Sequence, residues 1–241
     1  MRVFIYLSYN GSKFCGFQQQ PNKNGVMDKI IFTCKELGIN SDIQGSGRTD
    51  VNVHALNQVI HLDLPLFWSD LKKLKIMLNR QLHPFLHVKK VLHVKKDFHA
   101  RYSATKRLYR YICTDSHSPF LSEFAHFKKD IDIEFLNEIL KEFVGNHDFG
   151  YFKKTGSPTS SDERTIYKAF AYKYRNFTII NFLGNGFLRS QIRLMMGFVF
   201  KVLDNELSLE ELRAQIKKEK RVCSDLASAN GLYFSRTFYE F

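Results

Sequence analysis

The chain has 241 residues, 36 Lys and Arg against 24 Asp and Glu, a formal net charge of +12 and 44% hydrophobic residues. This balance excludes general disorder, and no apolar run approaches the roughly 18 residues that a membrane span needs. The opening MRVFIYLSYNGSK lacks the long apolar stretch and small-residue cleavage site of a signal peptide. Cys15, Cys34, Cys113 and Cys223 are scattered without CxxC spacing, which argues against a zinc ribbon, a redox motif or a disulfide framework. A reduced, cytoplasmic protein with a polyanionic partner, nucleic acid first, is expected.

In chain order, Val3 to Tyr9 alternates β-branched and aromatic residues and predicts a strand, broken by Asn10-Gly11-Ser12. Val26, Met27, Ile30, Ile31, Cys34 and Leu37 recur at helical spacing, with Gly38 as the C-cap. A short strand around Asp42–Gln44 leads to Gly45-Ser46-Gly47, and Val59 to Leu64 alternates again. Ser69 is the expected cap of a helix whose inner face is Leu71, Leu74, Met77 and Leu78, before a strand from Phe85 to Val94.

The same order then returns. Arg107 to Cys113 predicts a strand, and Phe135, Leu136, Ile139, Leu140 and Phe143 predict a helix ended by Gly145. Thr165–Tyr174 and Phe177–Leu183 form an expected hairpin across Arg175-Asn176. Leu188 to Val202 is a long helix, Ser208 with Glu211 a capping box for one more, and Leu232 to Phe241 a last strand. The expected fold is α+β: two ferredoxin-like βαββαβ halves, their antiparallel sheets joined into one extended sheet, with a cleft between the halves. The expected subdomains are residues 1–98 and 99–241, with the last strand packing across the boundary.

Between Lys89 and Arg110 stand eight basic residues against Asp97 alone, interleaved with Phe98, Tyr102 and Tyr109. Cations neutralise phosphates and aromatic faces stack on unpaired bases, so this block points to structured or single-stranded RNA. Its bland reading is a solvated strand edge guarded by Lys. The densest polar loop is Gly45 to His54, where Arg48 precedes Asp50 by two residues. A neighbouring guanidinium keeps a carboxylate ionised and aims it, as a carboxylate nucleophile requires, although an Asx-turn or a structural ion pair has the same spacing. Asp50, His54 and His61 allow a rival reading as a metal-dependent nuclease, but no third and fourth ligand fall at a known spacing. GxGxxG and P-loop patterns are absent, which removes the usual nucleotide cofactors. A non-catalytic, tandem RRM-like RNA-binding protein is the other rival, weakened by the lack of an RNP1-type octapeptide.

Several segments together resemble one family. They are Tyr9-Asn10-Gly11-Ser12 with Gly16-Phe17-Gln18, Gly47-Arg48-Thr49-Asp50 with His54, Gln58 and His61, and Phe98-His99-Ala100-Arg101-Tyr102-Ser103-Ala104. Arg107-Leu108-Tyr109-Arg110-Tyr111, Asn185-Gly186-Phe187-Leu188 with Arg193 and Met196-Gly197, and Ala229-Asn230-Gly231-Leu232 complete the set. In this order they resemble the tRNA pseudouridine synthase A (TruA) family over nearly the whole chain.

The resemblance implies an isomerase that converts uridine to pseudouridine at positions 38, 39 and 40 of the tRNA anticodon stem-loop. It implies Asp50 as the nucleophile, with attack at C1′, attack at the base and a glycal route all open. It assigns Arg48 and Arg193 to the surroundings of the aspartate and to opening the RNA stack, and Tyr109 to stacking on the target base. Arg101, Arg107 and Arg110 would line the route for the substrate. A homodimer acting on tRNA, with no metal and no organic cofactor, is implied as well. The chain departs from the family pattern at Asn52, where Gly is usual, at Phe17 for Trp, at Asn10 for Asp, and in the polar run Arg189-Ser190-Gln191.

Overall fold

The computed structural model describes residues 1–156 and 159–240. The first elements are β1 (Arg2–Tyr9), α1 (Val26–Glu36), β2 (Gln44–Gly45), β3 (His54–Asp63), α2 (Leu71–Leu82) and β4 (Leu86–His93). Then follow β5 (Ala104–Thr114), β6 (His126–Phe127), α3 (Ile133–Lys141), β7 (Gly145–Asp148) and β8 (Glu163–Tyr174). β9 (Phe177–Gly184), α4 (Gln191–Leu203), α5 (Leu209–Ile216) and β10 (Leu232–Tyr239) complete the chain. The protein is therefore α+β, with mostly antiparallel strands. Among the described residues, no helix is long and apolar enough to cross a membrane.

Packing divides the chain into two compact units, Met1–Thr105 with Tyr233–Phe241, and Lys106–Leu232. In the first unit β1 pairs antiparallel with both β3 and β4, and β2 pairs antiparallel with β3. That gives the strand order 4-1-3-2 of a βαββαβ unit. Beside β2, the start of β10 lies parallel to the start of β3, with Tyr233 opposite His54. Alternation decides the core: Val3, Ile5 and Leu7 of β1 are buried, as are Val26, Ile30 and Cys34 of α1 and Leu74, Leu78 and Leu82 of α2.

The second unit holds β5, β9, β8 and β7 in that order, each pair antiparallel, with β6 parallel to the end of β5. The aromatic core lies on one face of this sheet. Tyr111 of β5 meets Phe200 of α4 edge-on at 5.7 Å, and Phe182 of β9 meets Phe143, just past α3, at 6.5 Å. Asn137 of α3 both donates to the Ala171 carbonyl and accepts its N–H, tying that helix to β8.

Several boundaries differ from the sequence expectations. β3 starts at His54, five residues before Val59, and the short strand expected at Asp42–Gln44 lies at Gln44–Gly45. The helix expected from Leu188 begins at Gln191, because Leu188 to Ser190 forms a turn in which Ser190 takes a φ of 57°. Gly145 does not end α3 but opens β7 with a φ of 126°, where pairing with Ile166 takes the chain over. Asp70, not Ser69, caps α2: its carboxylate accepts the N–H groups of Lys72 at 2.9 Å and Lys73 at 3.0 Å. The hairpin at Arg175-Asn176 and the Ser208–Glu211 capping box form as expected. Phe241, the expected strand end, lies outside the described residues.

Asp70→Ala is expected to lower the unfolding free energy by about 1 kcal/mol, and Ser69→Ala by less than about 0.5 kcal/mol. Urea denaturation of both variants checks the assignment; the reverse ranking would return the cap to Ser69.

Candidate active site

The polar loop from Gly45 to Val53 is clamped by the turn that follows β1. Tyr9, the last residue of β1, is buried, and its hydroxyl lies 2.8 Å from the Thr49 hydroxyl. Burial pushes the Tyr9 hydroxyl up to about 12, so it keeps its proton at neutral pH. The Phe17 N–H donates to the Thr49 carbonyl at 3.1 Å, and Gly16, at a φ of 87°, lies so close that a Cβ would stand 3.2 Å from the same oxygen. The Gly11 N–H donates to His54 Nδ1 at 3.1 Å, and a Cβ on Gly11 would fall 2.1 Å from the Val53 carbonyl oxygen. Only glycine admits that approach.

On the other flank, the Ser46 hydroxyl donates to Gln58 Oε1 at 2.6 Å and Gln58 Nε2 donates to the Gly47 carbonyl at 2.8 Å. Ser46 and Gln58 are almost fully buried, so these bonds satisfy groups that water does not reach. Asp50 then opens a four-residue turn closed by the Val53 N–H on its carbonyl at 3.2 Å. Asn52 takes the left-handed conformation in this turn, φ 65°, which explains why Asn serves where the family pattern has Gly. Asp50 is half-buried on the resulting ledge.

Arg48 is exposed, and no hydrogen bond or ion pair among the described residues joins it to Asp50. The buried anchors around the loop, rather than an Arg48 fork, shape the ledge. The remaining departures in this unit have local physical reasons. Asn10 Oδ1 accepts the Ser12 N–H at 3.1 Å and its hydroxyl at 2.9 Å, capping the Gly11–Lys13 turn as an Asp would. Phe17 fills its site, stacked with Tyr9 at 6.4 Å and so near Gly45 that a Cβ there would come within 2.5 Å of the ring.

His54 and His61 are structural. His54 is buried, stacked on Tyr233 at 4.7 Å, with Nδ1 spent on Gly11. His61 is buried, with Nδ1 accepting the Ala100 N–H at 3.1 Å. Among the described residues no three His, Cys, Asp or Glu side chains group as a metal site. His61 thereby anchors the segment that carries Arg101. In that segment His99 Nδ1 accepts the N–H groups of Arg101 at 3.1 Å and Tyr102 at 3.3 Å, and Arg101 itself is exposed with its guanidinium 5.6 Å from the Tyr102 ring.

In the second unit β5 carries Arg107, Tyr109 and Arg110. Alternation sends Arg107 and Tyr109 to the helix-covered face and Arg110 to the opposite one. Tyr109 is buried and meets Phe187 edge-on at 5.2 Å, and Arg107 donates to the Asn185 carbonyl at 2.9 Å. Arg110 donates to Asn181 Oδ1 at 3.2 Å across the β5–β9 pair. Arg193 lies in the first turn of α4, where its Nε donates to the Ala227 carbonyl at 2.8 Å while the Ala227 N–H donates back to the Arg193 carbonyl at 3.0 Å. The strap bearing Ala227 can lie this close because Gly197 is bare: a Cβ there would be 2.0 Å from the Asp225 carbonyl oxygen.

The anchors Tyr9, Thr49 and Ser46 and the strap at Ala227 were not singled out from sequence. A glycine inside the apolar α4 pattern was the one local signal of the strap. For Tyr9 and Thr49 no local signal exists, since their meeting depends on tertiary pairing.

A family model described as tRNA pseudouridine synthase matches residues 5–103 and 139–240. The tRNA pseudouridine synthase A of Campylobacter jejuni (strain RM1221) is 41% identical over 240 residues, covering 99% of this chain and 100% of that one. That of Helicobacter pylori (strain ATCC 700392 / 26695) is 39% identical over 245 residues, with the same coverage. Among solved structures, a chain of a Cbf5-Nop10-Gar1 complex aligns at a TM-score of 0.41 and 10% identity, over 82% of this chain and 44% of its own length. A likeness that weak carries no argument.

Burial, with His99 and Arg2 adding repulsion, lowers His61 from 6.5 to about 4. The folded protein keeps His61 neutral where the unfolded chain binds a proton, so this stability is present above pH 6.5 and is lost as pH falls toward about 4. Unfolding free energies across that window should fall less steeply for His61→Gln than for the wild type. Equal slopes would show that His61 is not the titrating anchor.

Proposed function

The chain belongs to the tRNA pseudouridine synthase family, and we propose that Asp50 is the nucleophile with which it isomerises uridine at positions 38, 39 and 40 of the tRNA anticodon stem-loop. The observation that carries this reading is the clamped loop: buried groups on both flanks hold a turn whose first residue presents a half-buried carboxylate. A nucleophile fixed in this way loses little freedom when it reacts.

In the proposed reaction Asp50 attacks the target nucleotide and the bond from ribose C1′ to N1 breaks. The base rotates, C1′ bonds to C5, and the C5 hydrogen leaves as a proton while Asp50 is released. Atoms and electrons balance within the nucleotide, so no redox carrier is consumed. The base must first leave the stack at a cost of a few kcal/mol. Stacking on Tyr109 and a guanidinium from Arg193 offset that cost, at roughly 1–3 kcal/mol per stacked group. The Ala227 carbonyl fixes one edge of the Arg193 guanidinium, which limits the ordering needed on binding. Arg48, Arg101 and Arg107 are assigned to phosphates of the substrate. Arg110, on the other face of β5, is not assigned to the same nucleotide. The same reading makes the enzyme a cytoplasmic homodimer.

The test uses tRNA tritiated at C5 of uridine, since only replacement of the C5 hydrogen releases the label. Asp50→Ala is expected to release no tritium while binding tRNA within about threefold of the wild type, a difference below 1 kcal/mol. Retained release, or loss of binding together with the folded state, would overturn the nucleophile assignment. Arg193→Ala is expected to slow release at least about fivefold on a fully paired stem, and less where the target uridine is mismatched and already unstacked. Equal slowing on both substrates would remove Arg193 from base extrusion.

A further inference from the structure

The sheet of the second unit has helices on one face only. On its other face the strand register lines up rows across β5, β9 and β8: Leu108 with Leu183 and Lys168, Arg110 with Asn181 and Phe170, Ile112 with Ile179 and Tyr172. The β8 row ends in Tyr174, opposite Phe177. Three rings at alternate positions of one strand stand in solvent, Phe170 at 43%, Tyr172 at 40% and Tyr174 at 57% exposure. Phe170 and Tyr172 are nearly parallel, 21° apart in plane, with centroids separated by 6.4 Å.

Charge on this face has one sign. Lys106 lies 5.3 Å over the Tyr167 ring, Arg175 lies 5.6 Å over Tyr174, and Arg110 and Lys168 stand in the rows. β5, β9 and the part of β8 from Ile166 to Tyr174 contain no Asp or Glu; Glu163, at the far start of β8, is the one acid on these three strands.

We propose that this open face of β5, β9 and β8 is a binding platform for unpaired RNA nucleotides, distinct from the face that bears Tyr109. Bases stack on Phe170, Tyr172 and Tyr174, and Lys106, Lys168 and Arg175 neutralise the phosphates. The spacing suits the ligand. Alternate residues of a strand are about 6.7 Å apart, close to the separation of one base sandwiched between two rings at about 3.4 Å each. The rows cover about 20 Å along the strands and about 10 Å across them, room for the two or three bases that sheet platforms hold. A second copy of the chain fits less well. The patch is far below the about 800 Å² per partner that a stable dimer buries, and a twofold contact would set like charges face to face.

This proposal does not rest on Asp50. The probe is a fluorescein-labelled single-stranded RNA decamer of adenosine and cytidine only, which offers no uridine to isomerise. The full-length protein should bind it, with affinity falling as salt rises. The double variant Phe170→Ala/Tyr172→Ala should weaken binding at least tenfold and leave tritium release from an isolated anticodon stem-loop unchanged. Lys168→Glu, at an exposed position, should also weaken decamer binding if the double variant fails to fold. Crosslinking of the bound decamer by ultraviolet light should map to the β8 peptide. Failure of the wild type to bind, wild-type affinity in both variants, or crosslinks confined to the Asp50 loop would overturn the platform. So would dissociation of a wild-type dimer by the double variant in sedimentation, which would assign the face to a second copy.

Discussion

The hydrogen bond from the Gly11 N–H to His54 Nδ1 ties the end of β1 to the start of β3 across the loop that presents Asp50. It imposes three conditions on the sequence. Position 11 must lack a Cβ, because the Val53 carbonyl oxygen occupies that space. His54 must offer an unprotonated Nδ1, so its proton sits on Nε2, in a pocket closed by the Tyr233 ring from β10. The turn after β1 must also be held in shape, which Asn10 does through its two bonds to Ser12. Tyr9 with Thr49, and Ser46 with Gln58, extend the clamp on either side. A loop fixed by so many buried polar pairs resists rearrangement, since breaking one pair leaves a partner unsatisfied at a cost of about 1–3 kcal/mol.

Much of this was legible in the sequence, for a physical reason. The helices α1, α3 and α5 and the β8–β9 hairpin bury one stripe or alternate, so periodicity and caps announce them. The Asp50 loop was legible as a glycine-rich polar stretch, and the left-handed place of Asn52 followed from its residue type. Other features were not legible because local sequence does not hold them. Arg48 lies two residues from Asp50, yet tertiary anchors decide where Asp50 stands. Ser69 and Asp70 are both competent caps, and the first buried turn of α2 selects the one whose carboxylate reaches Lys72 and Lys73. Gly145 looked like a helix stop, but its pairing with Ile166 makes it the start of a strand. His54 and His61 looked like candidate ligands, and their ring nitrogens serve backbone N–H groups.

The basic, aromatic stretch that includes β5 shows how a strand divides one sequence block into two surfaces. Read linearly, Lys106, Arg107, Tyr109 and Arg110 form a single cluster. In the pleat, Arg107 and Tyr109 share the helix-covered face, whereas Lys106 and Arg110 share the open one. On the covered face Tyr109 is packed by Phe187, so its ring has a defined position before any base arrives. On the open face the rings of β8 are exposed and the cations are solvated, an arrangement that tolerates varied bases and depends on salt. The first face selects one nucleotide for chemistry; the second holds unpaired nucleotides without reading their sequence. A single alternating strand therefore separates positioning of the reacting base from general affinity for RNA, so substitution can tune either with little effect on the other.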